Sequence, residues 1–442
     1  VKILQYFLLL GLSTALPVLA AENESKVNQA ASPLAEFAAG LLKNSHFEVS
    51  SYVTSFLQSA QQNTAGSVES DSVEWWSHGN IETSADLSES LIFNLSLDAL
   101  FSTYQNEHQE VFTALGTNQK QAHYLDINTL TVAYRGDVFD LTIGKDSVEV
   151  GVAEIYSVAD VYNHSNLANI QHPVDIGVWQ ARLDYFFEDE ASLSLYVMPI
   201  HELSPFMPEN SRWRGNAMLG VEGQTYNTNP GNWGFLMLYS GILPGADYFL
   251  SAYRGVSPYA VFKNDLLIPT LKAYPMARIY SAGIAKTIDE WKLYTEVLYQ
   301  NTEQQADQDY LKYMVGAKYR ETSLANRLGL DEISPIIEWN KDVVKRAQDN
   351  ITYRTSSEQF RPNPSNIIAK LGITINSKWK VNYQYIINLT AKDQLNSFGV
   401  NYQHTDSLSF RLTGIVYEGN TSTHFGRERQ NDNLELGVDY KF

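Results

Sequence analysis

The sequence predicts an all-β protein, a transmembrane, antiparallel, up-and-down β-barrel of about 16–18 strands with a short N-terminal helical lead-in. Three observations predict it. Residues 432–442 alternate strictly: Leu434, Leu436, Val438, Tyr440 and Phe442 are apolar or aromatic, and Glu435, Gly437, Asp439 and Lys441 stand between them. An export signal opens the chain. Between the two ends, alternating segments of about ten residues recur with turn chemistry between them, the sequence signature of barrel strands.

The export signal is read from its three regions. Lys2 precedes an apolar run over 3–12, and Val18, Leu19 and Ala20 end a small-residue cleavage site. The run is shorter than the ~20 apolar residues a spanning helix needs. Residues 1–20 are therefore expected to be a signal peptide, cut after Ala20, and Val1 agrees with a non-AUG start codon. Residues 21–45 follow as a periplasmic lead-in. There Ser32 is placed to cap a short helix, with Pro33 at its first position and Glu36 in its first turn. A small plug is the other reading of that segment. The barrel is expected to fill 46–442 as one domain.

Composition narrows the class. The 442 residues carry 27 Tyr, 19 Phe and 8 Trp, yet the mean hydropathy is only -0.26. A helical membrane protein does not look like this. A barrel does, because only alternate residues meet lipid and the aromatics form girdles at both interfaces. A formal charge of -18 excludes the basic footprint of a nucleic-acid binder. The absence of cysteine is compatible with passage through an oxidising periplasm.

Four segments show the alternation cleanly. Trp179, Ala181, Leu183, Tyr185 and Phe187 alternate with Gln180, Arg182, Asp184 and Phe186. Trp291, Leu293, Thr295, Val297 and Tyr299 alternate with Lys292, Tyr294, Glu296, Leu298 and Gln300. Leu311, Tyr313, Val315, Ala317 and Tyr319 alternate with Lys312, Met314, Gly316, Lys318 and Arg320. Trp379, Val381, Tyr383, Tyr385 and Ile387 alternate with Lys380, Asn382, Gln384, Ile386 and Asn388. Turns are expected at 135–137, 229–232, 243–246, 376–378 and 405–406, and long connections at 58–87, 146–175, 200–212, 256–275, 340–364 and 419–430. Short and long connections fail to alternate between Arg214 and Arg254 and again between Ile81 and Tyr104, so the strand number stays a range. A soluble β-solenoid or propeller would also show many short strands, but with more Val, Ile and Leu and with repeating Gly or Trp-Asp marks.

Two stretches carry a family likeness. Residues 125–134 and 140–146 read as paired strands ending in Gly144-Lys145-Asp146 and opening a long loop; a second echo runs from Ser251 to Pro258 and resumes at Tyr274. This resembles the alginate-export-like outer-membrane proteins and their porin-like relatives over about residues 120–300. Relatives usually carry Trp-Gly after that motif, where this chain has Val150-Gly151. The resemblance implies a large solute-conducting or exporting barrel of a Gram-negative outer membrane, and it transfers no substrate-binding residue. The terminal Phe442 resembles the signal read by the barrel-assembly machinery.

Charged residues on the polar faces are the candidate pore lining: Arg182, Asp184, Lys292, Glu296, Lys312, Lys318, Arg320, Lys380 and Glu435. Opposed rows of both signs order water and select polar solutes. The bland alternative is that they pair with one another and close the bore. The loop 146–175 and the Pro-rich segment 203–214 are candidates for folding inward, with Arg212, Trp213 and Arg214 placed to meet a sugar or an acidic polymer. A second reading puts Trp213 in an interface girdle with the arginines on lipid phosphates.

No Gly-x-Ser-x-Gly elbow and no His-Glu-x-x-His pair occurs among these residues, so no catalytic, metal or cofactor site is expected. The expected partners are outer-membrane lipids and lipopolysaccharide, together with a polar solute or an exported polysaccharide or lipid. A closed adhesion barrel is the alternative of a different class, and an outer-membrane hydrolase a weaker one.

Overall fold

The structure is a computed structural model that describes residues 40–41, 43–58, 72–103, 124–166, 169–188, 190–201, 212–213, 224–225, 232–265, 268–356, 361 and 364–442. The expected signal peptide and most of the expected lead-in, including Ser32, Pro33 and Glu36, lie outside the described residues.

The alternating segments form eighteen antiparallel strands in one closed sheet. In chain order they are β1 (His46–Phe56), β2 (Val73–Asp86), β3 (Leu91–Ser102), β4 (Leu125–Arg135), β5 (Phe139–Asp146) and β6 (Val178–Phe186). Then come β7 (Ser192–Ile200), β8 (Gly234–Leu243), β9 (Ala246–Val256), β10 (Met276–Ile288), β11 (Trp291–Thr302) and β12 (Asp309–Tyr319). The last six are β13 (Glu332–Arg346), β14 (Ser365–Thr374), β15 (Trp379–Asn388), β16 (Gln394–Gln403), β17 (Leu408–Glu418) and β18 (Asn433–Lys441).

The alternating terminal segment closes the sheet. β18 pairs with β1 from Glu48 opposite Lys441 to Phe56 opposite Asn433. Phe47 and Phe442 exchange backbone hydrogen bonds at 2.8 and 2.9 Å, and their rings lie 4.8 Å apart. Closure leaves no backbone edge to satisfy, the condition for crossing hydrocarbon with strands.

The two faces of the wall separate by chemistry. Leu250 is 54% exposed, and Phe235, Ile284, Leu293, Val315, Ile337, Phe398 and Leu436 are likewise exposed on the outside. In water this belt would be costly; in a bilayer it faces its own kind. Trp291 lies 4.6 Å from Tyr319 and Trp379 4.5 Å from Tyr402, both at the end of the barrel where β1 begins and β18 ends. Such aromatics suit an interface girdle.

Connections at that end are mostly tight, and long ones lie at the other. The structure departs from the expected connections at several points. The expected connection 58–87 contains β2, whose outward positions include Ser77 and Gly79, so alternation there is weak. Two connections at the long-loop end are short, 303–308 and 389–393, and one at the tight end, 320–331, is long and holds the helix Ser323–Arg327. Strand β13 runs on to Arg346, inside the expected connection 340–364.

Candidate functional site

The connection from β5 to β6, residues 147–177, does not project from the barrel but folds into it. Its entry is set by Gly144, whose φ is +140° and where a Cβ would collide with the Leu130 carbonyl. Ile143 faces out and is exposed; two residues on, Lys145 is 2% exposed and forms an ion pair with Asp126 at 3.6 Å. The backbone excursion at glycine lets Lys145 turn inward, against the alternation. Alternation alone groups Lys145 with Ile143, and the preceding glycine is the signal that identifies the exception.

Two wall carboxylates then hold the loop. Glu296 on β11 accepts the backbone N–H groups of Val152 (2.6 Å), Ala153 (3.0 Å), Val158 (2.9 Å) and Ala159 (3.2 Å), and the Ser157 hydroxyl at 2.7 Å. Glu338 on β13 accepts the N–H groups of Glu154 (3.2 Å), Ile155 (2.8 Å) and Tyr156 (2.9 Å), and the Tyr294 hydroxyl at 2.7 Å. Both side chains are 1% exposed. A buried carboxylate needs donors and a buried irregular loop needs acceptors; each supplies what the other lacks.

Gly151 permits the approach. Its φ is +144°, and a Cβ there would stand 2.5 Å from Ser157 Oγ and 3.0 Å from a Glu296 oxygen. Apolar contacts seat the same stretch: Val148, Val150 and Tyr162 join Tyr196, Met198, Leu236, Phe249, Tyr253 and Leu298 in one buried cluster.

The loop also carries charge to the wall. Glu154 meets Lys292 at 2.5 Å and Lys318 at 2.7 Å. Burial opposes its ionised form, but the hydrogen bonds and charges of the two lysines prevail and hold its carboxyl below the usual range. Asp160 has the opposite fate: burial first, then Asp175, Glu149 and Glu296, push it up to about 6.

The far end of the loop reaches another part of the wall. His172 Nε2 lies 2.8 and 2.9 Å from the two Glu435 oxygens, and its ring stacks on Tyr52 at 3.9 Å. Thr54 donates to the same carboxylate at 3.1 Å. The loop thus crosses the bore from β11 and β13 to β18 and β1. A cavity of 360 Å³ remains beside it, lined by Tyr52, Trp76, His78, Leu100 and His172 among others.

The register places the sequence candidates. Arg182, Asp184, Lys292, Glu296, Lys312, Lys318, Lys380 and Glu435 all stand on the inward side of their strands. Arg182 pairs with Asp184 at 2.9 Å and with Asp146 at 3.8 Å. Lys312 is buried, donating to the Tyr259 hydroxyl at 2.7 Å. Glu296 and Glu435 are buried under the loop and anchor it, so their carboxylates do not face open water. Arg320 lies beyond the end of β12, in the 320–331 connection, paired with Glu332 at 2.6 Å. Across from the loop, β14–β17 present Lys370, Gln384, Lys380, Asn401 and Arg411 inward.

Arg212 and Trp213 are buried at the loop-bearing end rather than set in an interface girdle. The Arg212 guanidinium lies 3.7 Å from the Phe56 ring centre and donates to the carbonyls of Gln58 and Gln430, each at 2.9 Å. Trp213 packs edge-on to Phe56 and Tyr417. Arg214 and residues 202–211 lie outside the described residues.

A closed barrel of eighteen strands with an apolar belt, long connections at one end and a loop folded into its bore has the architecture of Gram-negative outer-membrane porins. Solved structures bear this out. OccK3 (OpdO) of Pseudomonas aeruginosa is similar with a TM-score of 0.53 and 10% identity, over 93% of this chain and 99% of that one. OccK11 (OpdR) of the same organism gives 0.52 and 10%, over 91% and 97%, and Acinetobacter baumannii OccAB1 gives 0.51 and 10%, over 90% and 95%. No family model and no curated protein matches the sequence. The shared property is the fold, and the fold is that of an outer-membrane barrel.

Proposed function

We propose that the protein is a porin-like channel that passes small polar solutes across the outer membrane without chemical turnover. The observation that carries this reading is the fastening of the loop 147–177 by Glu296 and Glu338. A bore of this strand number is too wide for wall side chains to fill. A loop tied across it narrows the passage while leaving water beside the inward polar face of β14–β17.

Charge supports the same reading. Glu154, Asp160 and Asp175 lie on the loop, while Lys370, Lys380 and Arg411 lie on the wall. Opposed rows set up a transverse field that orders water and sorts solutes by charge. In this role Arg182, Asp184, Lys292, Lys318 and Lys380 tune selectivity. Phe442, closing the sheet against Phe47, is the group we assign to recognition by the barrel-assembly machinery.

Export of a polysaccharide or lipid is the second reading. It rests on the Gly144-Lys145-Asp146 corner, which opens the loop here as in the alginate-export resemblance. Planar-bilayer recording of the refolded protein tests the channel. Stepwise currents support it, and silent insertion favours a closed adhesion barrel. Liposome swelling with neutral sugars, acidic sugars and amino acids then separates small solutes from a polymer route.

A further inference from the structure

Arg254 on β9 and Arg278 on β10 stand directly opposite each other in the antiparallel register. Both are on the outside of the barrel. Their sequence neighbours Tyr253, Ala277 and Ile279 are buried on the inward side, and Tyr280, two residues after Arg278, and Leu250, four residues before Arg254, are exposed in the apolar belt. Like charges in this position destabilise a strand pair. Glu303 is among the partners of Arg254, at 3.2 Å. Among the described residues Arg278 has no ion pair, and its side chain is exposed. Arg278 thus sets on this outer face a cation for which the described residues hold no counter-charge.

The level of the pair in the membrane indicates what balances it. Arg278 lies opposite Asn301, and the next outward pair toward the tight-turn end is Tyr280 opposite Tyr299. Tyrosines mark the edge of the hydrocarbon, so the two guanidinium groups sit just beyond it, on the side of the long loops. Headgroups lie at that depth. A guanidinium matches a phosphate with two parallel hydrogen bonds, and two adjacent guanidinium groups can take one phosphate between them.

We propose that Arg254 and Arg278 form an exterior binding site for the phosphate groups of lipopolysaccharide, the phosphorylated glycolipid of the outer leaflet. Glu303 orients the Arg254 fork, Asn301 adds a carboxamide beside Arg278, and Tyr280 and Tyr299 bear on the acyl-chain boundary below. The site is independent of conduction: it lies on the opposite face of the wall from the lumen.

The test uses the full-length protein in detergent and in nanodiscs. Lipid A carrying both phosphates, the same lipid with its phosphates removed, and inorganic phosphate are titrated against wild type and the Arg254→Gln/Arg278→Gln double variant. Wild type is expected to bind the phosphorylated lipid, and the double variant about thirtyfold more weakly, as two basic groups at an anionic surface would give. Lys286→Gln, on the same outer face near the tight-turn end, is expected to leave binding unchanged. Heat-shifted migration on gels confirms a folded barrel; if the double variant does not fold, the exposed Arg278→Gln alone carries the comparison. Equal binding by wild type and the arginine variant overturns the proposal. So does equal binding of the dephosphorylated lipid, or full displacement by inorganic phosphate at matched concentration, which would make this a free-phosphate site.

Discussion

The Glu296 carboxylate receives the backbone N–H of Val152 at 2.6 Å, across 144 positions of sequence. This contact ties the inner loop to the barrel wall, and its neighbours repeat it. Seven loop N–H groups end on only two wall side chains, Glu296 and Glu338. Loop position is thereby linked to two carboxyl groups of the wall.

Replacing Glu296 by Gln should loosen the loop without unfolding the barrel. The amide keeps one acceptor oxygen and points an NH2 group at backbone donors. Hydrogen bonds to a charged acceptor contribute about 1.5–3 kcal/mol each, so even partial loss exceeds thermal energy. Single-channel recording should show higher mean conductance and more frequent open-level transitions. Unaltered current traces in Glu296→Gln would falsify the anchoring role.

Gly151→Ala should act in the same direction by a different route. The added methyl meets Ser157 Oγ and a Glu296 oxygen, and the backbone must hold a φ that L-residues avoid. A strained residue of this kind costs about 1–3 kcal/mol. Limited proteolysis is the readout: the variant should be cut within 147–177 under conditions that spare the wild type, with the barrel core intact.

Selectivity should depend on pH through Asp160. Its folded pKa, about 6, is raised above that of the unfolded chain, so the folded state binds more protons between those two values. Its contribution to stability is present at low pH and is lost as pH rises through the folded pKa. The same titration adds a negative charge to the loop. Reversal potentials should shift toward cation preference between about pH 5 and 7, bracketing that pKa, and Asp160→Asn should flatten the shift. An equal slope in the variant would assign the titration to another group.

Facing can be checked with a pair of neighbours. Lys380→Ala removes an inward positive charge and should move selectivity toward cations, whereas Val381→Ala, one residue on and facing lipid, should leave it unchanged. Arg182→Ala leaves Asp184 and Asp146 without their cation and should shift selectivity in the same direction as Lys380→Ala. Matching shifts from Lys380→Ala and Val381→Ala would contradict the register.

Much of the barrel was legible because lipid imposes a rule on single residues: every second side chain must tolerate hydrocarbon. That rule marks β11, β12, β15 and β18 directly, and the terminal segment announces the closing strand. It fades in β2, where Ser77 and Gly79 dilute the outward face, and so the strand count could be given only as a range. It misleads at Lys145, because a glycine kink reverses the face.

The sequence by itself determined the fold class and the side of the wall on which most charged residues stand, since alternation is a local property of an extended chain. Only the tertiary structure decided which charges meet water. Glu296 and Lys292 share one face of one strand, yet the first is sealed beneath the loop and the second reaches out to Glu154. The reason is that the loop's path depends on contacts between positions far apart in sequence, and no periodicity within a strand records them.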